Sequence, residues 1–144
     1  MHVHVCIGID APPAHVWAGI ERVEHHVDWM RDAESIRLRT EQRSGVGTEF
    51  DCVTKVGPLR TTDRMVVTEW SPAAAMGIEH HGVVTGAGRF TLRPRDGGTE
   101  FCWDEELTFP LRMGGRAGEI AARPVLQRIW RANLERLKRQ VERA

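Results

Sequence analysis

Six segments with strand character follow one another between residues 34 and 109, and only short turn sequences separate them. The segments are 34–43, 48–56, 59–70, 74–81, 86–94 and 99–109, with turns such as Ser44-Gly45, Gly57-Pro58, Ser71-Pro72 and Asp96-Gly97-Gly98. Glycine, proline and aspartate at these points favour tight reversals of the chain. Because parallel neighbours need long crossover connections, the short turns predict an antiparallel meander.

The first nine residues, MHVHVCIGI, carry the period-two pattern of a strand with one buried face. The apolar residues Val3, Val5, Ile7 and Ile9 alternate with His2, His4, Cys6 and Gly8. Asp10-Ala11-Pro12-Pro13 stops this strand, and a proline suits the first turn of the helix that follows. A second short helix is predicted at 26–30.

The last part of the chain predicts a long amphipathic helix over 119–141. One helical stripe contains Leu126, Ile129, Trp130, Leu134, Leu137 and Val141. Residues 110–118 are rich in glycine and are predicted to be a loop, and Pro124 is expected to start or kink the helix. The fold class is therefore α+β: a curved seven-stranded antiparallel sheet around a long C-terminal helix, as one domain over residues 1–144.

Composition excludes several kinds of partner. Twenty basic residues balance twenty acidic ones, so no net charge attracts nucleic acid or an anionic membrane. No apolar run approaches a membrane span, and the first residues are too polar for a signal peptide. Cys6, Cys52 and Cys102 form no C-x-x-C pair, which predicts free thiols in a reducing, cytoplasmic compartment. The choice between monomer and homodimer stays open.

Three side chains of the first strand are of metal-ligating types, namely His2, His4 and Cys6. Alternate strand residues lie roughly 6.5–7 Å apart, so the two histidines could share an ion, but Cys6, about 13 Å from His2, could not join both. A site would need a ligand from a neighbouring strand, and the sequence identifies none. We therefore interpret these residues as the polar outer face of the strand and predict no metal and no cofactor.

Several segments of the chain match a known family in pattern and order. They are IDAPPAHVWAGI (9–20), VDWM (27–30), GVGTEF (45–50), VVTEWSP (66–72), GGTEFCWDEEL (97–107) and the terminal helix. With them the chain resembles the polyketide cyclase/dehydrase and lipid-transport family of the START and birch-pollen-allergen-like (SRPBCC) helix-grip superfamily, over essentially its whole length. The resemblance implies a helix-grip fold whose apolar cavity often holds a hydrophobic small molecule. It implies no single reaction, because members include transporters, sensors and aromatase/cyclases.

Strand alternation directs two titratable side chains towards the expected cavity. Glu105 is in phase with Trp103, and His80 is in phase with Ile78. A buried Glu105 must either pair with another group or keep a raised pKa and act as a general acid. His80 suits proton transfer near neutral pH, although a lone histidine on an apolar face is more often structural. The predicted ligand-binding set is Trp29, Phe50, Met76, Ile78, His80, Phe90, Leu92, Trp103, Glu105, Leu126, Trp130 and Asn133.

Three functions remain open from the sequence. The first is a binding or carrier protein for a hydrophobic, lipid- or polyketide-like small molecule. The second is an aromatase, cyclase or dehydratase with His80 and Glu105 as its acid/base candidates. The third is a protein-interaction module, for which the basic outer face of the final helix is the only indication. No nucleophile elbow, phosphate loop, dinucleotide fingerprint or zinc spacing is present.

Overall fold

The computed structural model describes residues 1–144. It contains seven strands, two α-helices and two short 3₁₀ helices at Val23–Asp28 and Leu111–Met113. The α-helices are α1 (Pro13–Ile20) and α2 (Gly115–Arg143). The strands are β1 (His2–Ile9), β2 (Ala33–Leu38), β3 (Glu49–Val56), β4 (Leu59–Ser71), β5 (Ala75–His81), β6 (Thr85–Arg95) and β7 (Gly98–Thr108).

All seven strands form one antiparallel sheet in the order β1-β7-β6-β5-β4-β3-β2. Strands β2 to β7 are a meander, and β1 pairs with β7 from His2 opposite Glu106 to Ile9 opposite Thr99. Register shifts interrupt the β2–β3 and β4–β5 ladders, and such irregularities bend strands and increase their twist. The predicted helix-grip architecture, a curved seven-stranded sheet with a long C-terminal helix, is confirmed.

Helix α2 divides into two halves with different surroundings. In its C-terminal half, Leu134, Leu137 and Val141 are buried in the hydrophobic core. A β-carbon at Gly19 of α1 would lie 3.0 Å from Val141, so the absence of a side chain there lets the two helices approach closely. In its N-terminal half, Val125 is 48% exposed, although Ala122 and Val125 border a cavity under the helix. The sheet and helix therefore meet tightly at one end and stand apart at the other.

Three local predictions differ from the structure. Helix α2 begins at Gly115, so the predicted loop over 110–118 was wrong in its second half; the reversal is made by Gly114, whose φ is 91°. The predicted strand 34–43 ends at Leu38, beyond which side-chain hydrogen bonds of Gln42 stabilise a loop. The predicted helix at 26–30 is the 3₁₀ helix Val23–Asp28.

Two of the three cysteines are not free. Cys6 and Cys102 form a disulfide between β1 and β7, which corrects the prediction of three free thiols. The two residues are 96 positions apart in the sequence, yet they are directly opposite in the register, with Cα atoms 4.1 Å apart. Sequence spacing cannot reveal this proximity, because it arises only from the pairing of the first strand with the last. Cys52 is a free, buried thiol.

The length and hydropathy of the helices decide whether any of them could span a membrane. None of them is both long enough and apolar enough to cross a lipid bilayer.

Candidate functional site

A cavity of about 480 Å³ lies between the sheet and the N-terminal half of α2. Its lining is mainly hydrophobic, with 21 hydrophobic residues out of 32. Nine of the residues predicted from the sequence line it: Phe50, Met76, Ile78, His80, Phe90, Trp103, Glu105, Leu126 and Trp130. The side chains of Leu59 and Val125, also in the lining, are about half exposed and mark where the cavity meets solvent.

The main polar group of the wall is a His80–Glu105 pair. The His80 Nε2 atom lies 2.9 Å from Oε2 of Glu105, and the Trp103 indole N–H donates to Oε1 of the same carboxylate at 3.0 Å. The exposed fractions of the two paired side chains are only 12% and 8%. Glu105 is therefore bonded to a basic partner, which is one of the two states that its burial among aromatic rings requires.

A glycine provides the space for this carboxylate. Gly88 of β6 lies opposite Glu105 of β7 in the register and opposite Ile78 of β5. A β-carbon at Gly88 would come within 2.5 Å of both Glu105 oxygens. The missing side chain on β6 thus lets the carboxylate turn towards His80.

His80 titrates differently from an ordinary histidine. Burial disfavours its imidazolium form, but the hydrogen bond and charge of Glu105, with the charge of Asp63, outweigh that effect and raise its pKa. The pair consequently favours a proton on the imidazole. A charge-assisted hydrogen bond of this kind is stronger than a neutral one and holds both side chains at the wall.

Asp63 is a second carboxylate in the lining. Asp63 is buried in the lining, whereas Arg64 points outwards, with its guanidinium 3.7 Å from the Glu49 carboxylate. Oδ1 of Asp63 accepts the Val83 N–H at 2.7 Å. Its main bond is therefore to the backbone of the β5–β6 turn.

Stacked indoles join the sheet to the helix across the cavity. The rings of Trp103 and Trp130 are 4.6 Å apart between centroids, with planes inclined by 13°. Trp130 Nε1–H donates to Oδ2 of Asp32 at 3.0 Å, and the Asn133 amide donates to Oδ1 at 2.7 Å. Asp32 thus fixes α2 to the start of β2. Sequence reasoning missed Asp32. The Trp130 indole and the Asn133 amide on the apolar stripe of α2 predict a buried hydrogen-bond acceptor, but they do not identify the residue that provides it.

Three residues of the predicted set lie outside the lining. Trp29 is buried and packs against Phe90 and Trp103, with centroids 5.8 and 5.9 Å away. Leu92 is buried in the core further along β6. Asn133 is fully buried and bonded to protein groups, accepting the Arg31 N–H while donating to Asp32. These three side chains lie behind the residues that line the cavity and do not border the cavity themselves.

Two other titratable residues of the lining have strongly shifted pKa values. Burial lowers the pKa of His26 to about 4, and the ring Nε2 lies 2.7 Å from the Ile20 carbonyl, to which it donates. Burial raises the pKa of the Cys52 thiol to about 11. At neutral pH both are uncharged and suit an apolar cavity.

Comparison with solved structures identifies the same fold in other proteins. The crystal structure of TTHA0849 from Thermus thermophilus is 19% identical, with a TM-score of 0.81, covering 98% of this chain and 97% of that one. The Zhui aromatase/cyclase from Streptomyces sp. R1128 is 18% identical, with a TM-score of 0.74 and coverage of 99% and 94%. Ara h 8.0201 is 12% identical, with a TM-score of 0.67 and coverage of 100% and 99%. At these identities the likeness establishes the fold alone.

Sequence comparison gives the family. A search of curated proteins found no significant match. The family model described as "Polyketide cyclase / dehydrase and lipid transport" matches residues 1–142, nearly the whole length of the chain. The chain therefore belongs to the polyketide cyclase/dehydrase and lipid-transport family.

Proposed function

We propose that the protein binds a hydrophobic small molecule, lipid- or polyketide-like, in the cavity between the sheet and α2. The observation that carries this proposal is the apolar lining of a space of about 480 Å³ that the protein's own side chains leave unfilled. Pockets for small molecules commonly measure about 300–1,000 Å³ and combine apolar walls with a few polar groups. The family to which the chain belongs supports the same reading.

The lining indicates which ligand would fit. The stacked Trp103–Trp130 pair offers aromatic surface, while Met76 and Ile78 offer aliphatic surface, so a ring or an acyl chain would both be accommodated. His80 provides a polar group that can orient a carbonyl or hydroxyl oxygen, since Glu105 engages only its Nε2 atom. We expect micromolar affinity, which corresponds to about 8 kcal/mol.

Tryptophan fluorescence tests the proposal directly, because two indoles line the cavity. Titration with fatty acids, flavonoids and polyketide-like aromatic compounds should quench or shift the emission for at least one class. Ala122→Phe places a large side chain in the cavity and should weaken that binding at least tenfold. Ala117→Phe, on the exposed surface of the same helix, is the matched control and should leave affinity unchanged. No response across the panel, or equal affinities in the two variants, would contradict the proposal.

An enzymatic role is the second candidate, and one observation favours it. The buried His80–Glu105 pair lies at the cavity wall, where an imidazole with a raised pKa could transfer a proton to a bound polyketide-like substrate. The reaction would be that of an aromatase, cyclase or dehydratase. Glu105→Gln distinguishes the candidates: a passive binder should lose stability but keep its ligand affinity, whereas an enzyme should keep its fold and lose turnover.

A further inference from the structure

A cluster of metal-ligating side chains lies on the outer face of the β1–β7 ladder. The register places His4 opposite Asp104 and Cys6 opposite Cys102. The ligand atoms of His4, Cys6 and Cys102 all lie within 4.8 Å of one another. The prediction of no metal rested on the lack of an identifiable ligand from a neighbouring strand, and Cys102 of β7 is a residue of that kind. Because Val3, Val5 and Trp103 point to the other, buried face, this cluster is separate from the cavity.

The orientation of His4 is the second observation. Its Nδ1 lies 2.5 Å from Oδ1 of Asp104, and an ionised carboxylate only accepts hydrogen bonds. Nδ1 therefore carries a proton, and in the neutral imidazole the Nε2 lone pair is directed at Cys6 Sγ, 3.2 Å away. Metal-ligating histidines characteristically donate their other ring nitrogen to a carboxylate in this way.

The two cysteines supply the remaining ligands once they are reduced. A sulfur in a disulfide is a poor ligand, whereas a thiolate binds zinc strongly. The close pairing of the strands, with Cα atoms 4.1 Å apart, keeps both sulfur atoms beside each other after the bond is cleaved. Two sulfur ligands and one imidazole favour a thiophilic ion such as Zn²⁺ and leave the fourth tetrahedral position to water.

We propose that the reduced protein binds one Zn²⁺ through Cys6, Cys102 and His4, and that formation of the Cys6–Cys102 disulfide releases it. A dithiol reductant supplies two electrons and two protons, cleaves the S–S bond and is itself converted to a disulfide. Zinc binding then displaces the two thiol protons. In the reverse direction a disulfide oxidant accepts two electrons, the S–S bond forms again and Zn²⁺ leaves.

Metal titration of the reduced protein tests this assignment. The protein is reduced with a phosphine under argon, desalted, and titrated with Zn²⁺ against a chromophoric chelator. It is titrated separately with Co²⁺, whose thiolate charge-transfer and tetrahedral d–d bands identify the ligands. We expect one metal per chain in the reduced protein and none in the oxidised protein.

Variants identify the ligands. His4→Ala should weaken zinc binding at least tenfold, and Asp104→Asn should weaken it about 10–100-fold, as is typical for the group that orients a ligating histidine. His81→Ala, another exposed histidine paired with a carboxylate, and Cys52→Ala are the controls and should bind as the unmodified protein does. Circular dichroism establishes that each variant is folded. Absence of zinc binding by the folded, reduced protein, or unchanged affinity in His4→Ala, would overturn the proposal.

Discussion

A β-carbon at Gly88 would lie 2.3 Å from Oε1 of Glu105, so the Glu105 carboxylate occupies the space that a side chain on β6 would fill. The position of the Glu105 carboxylate on β7 thus depends on the absence of a side chain at Gly88 on β6. From this position Glu105 reaches His80 and forms the hydrogen bond to its Nε2 atom.

Gly88→Ala should therefore destabilise the protein by about 1–3 kcal/mol, because the added methyl group displaces Glu105 from a packed wall. Gly8→Ala is the matched control on β1, since a β-carbon there meets nothing within 4 Å. We expect the control to stay within about 0.5 kcal/mol of the unmodified protein. Urea unfolding of both variants measures the difference, and equal stabilities would show that the carboxylate does not need the space.

The raised pKa of His80 predicts a pH dependence with a definite sign. Because the folded-state pKa lies above the ordinary value of 6.5, the His80–Glu105 pair contributes its full stabilisation below about pH 6.5. That contribution is lost as the pH rises through the folded-state pKa. An NMR titration of the His80 ring should give a pKa above 6.5, and Glu105→Gln should lower it. A pKa that Glu105→Gln leaves unchanged would disprove the assigned cause.

His26, unlike the His80–Glu105 pair, should make the folded protein less stable in acid. Its pKa is about 4 in the folded protein and 6.5 ordinarily, so the unfolded chain binds an additional proton between these values. This difference costs on the order of 3 kcal/mol of folding free energy by pH 4. His26→Gln, which retains a donor for the Ile20 carbonyl, should lose less stability between pH 7 and pH 4 than the unmodified protein.

The neighbouring His25 provides the control for this experiment, because its side chain is 55% exposed and only borders Asp28. His25→Gln should keep the full acid sensitivity. If both substitutions reduced the acid sensitivity equally, burial of His26 would not be its cause.

Cys52 should resist alkylation in the folded, reduced protein, because its thiol is buried and has a pKa of about 11. Cys6 and Cys102, on the outer face of the sheet, should react with iodoacetamide much faster once the disulfide is reduced. Mass spectrometry of the peptides measures each rate, and in urea all three cysteines should react alike. Rapid alkylation of Cys52 without unfolding would contradict its placement.

The overall fold was predictable because its elements are encoded locally. Strand alternation, turn residues and the apolar stripe of α2 each depend on neighbours a few positions away. The order of these elements along the chain then predicts a meander of strands with the long helix packed on it. The helix start was missed because Gly114 and Gly115 are typical of a loop, and both have a positive φ, although the helix begins at Gly115.

The sequence predicts which face of the sheet carries the candidate site, but not where along the strands the cavity ends. Alternation identifies which side chains point inwards, as for His80 and Glu105, but not how far along the sheet the cavity extends. Leu92 of β6 therefore lies in the packed region rather than in the lining. Contacts that depend on register or on tertiary packing, such as the Cys6–Cys102 pair and the hydrogen bonds to Asp32, cannot be identified from the sequence taken alone.

The uneven packing of α2 predicts where the molecule opens most easily. Local opening of a protein costs least where few apolar side chains are buried, and the segment from Gly115 to Val125 buries little beyond Gly115 itself. Its amide protons should exchange with solvent much faster than those around Leu134 and Leu137, whose side chains are fully buried in the core. We therefore expect the helix start to open locally while the remainder of the fold stays intact.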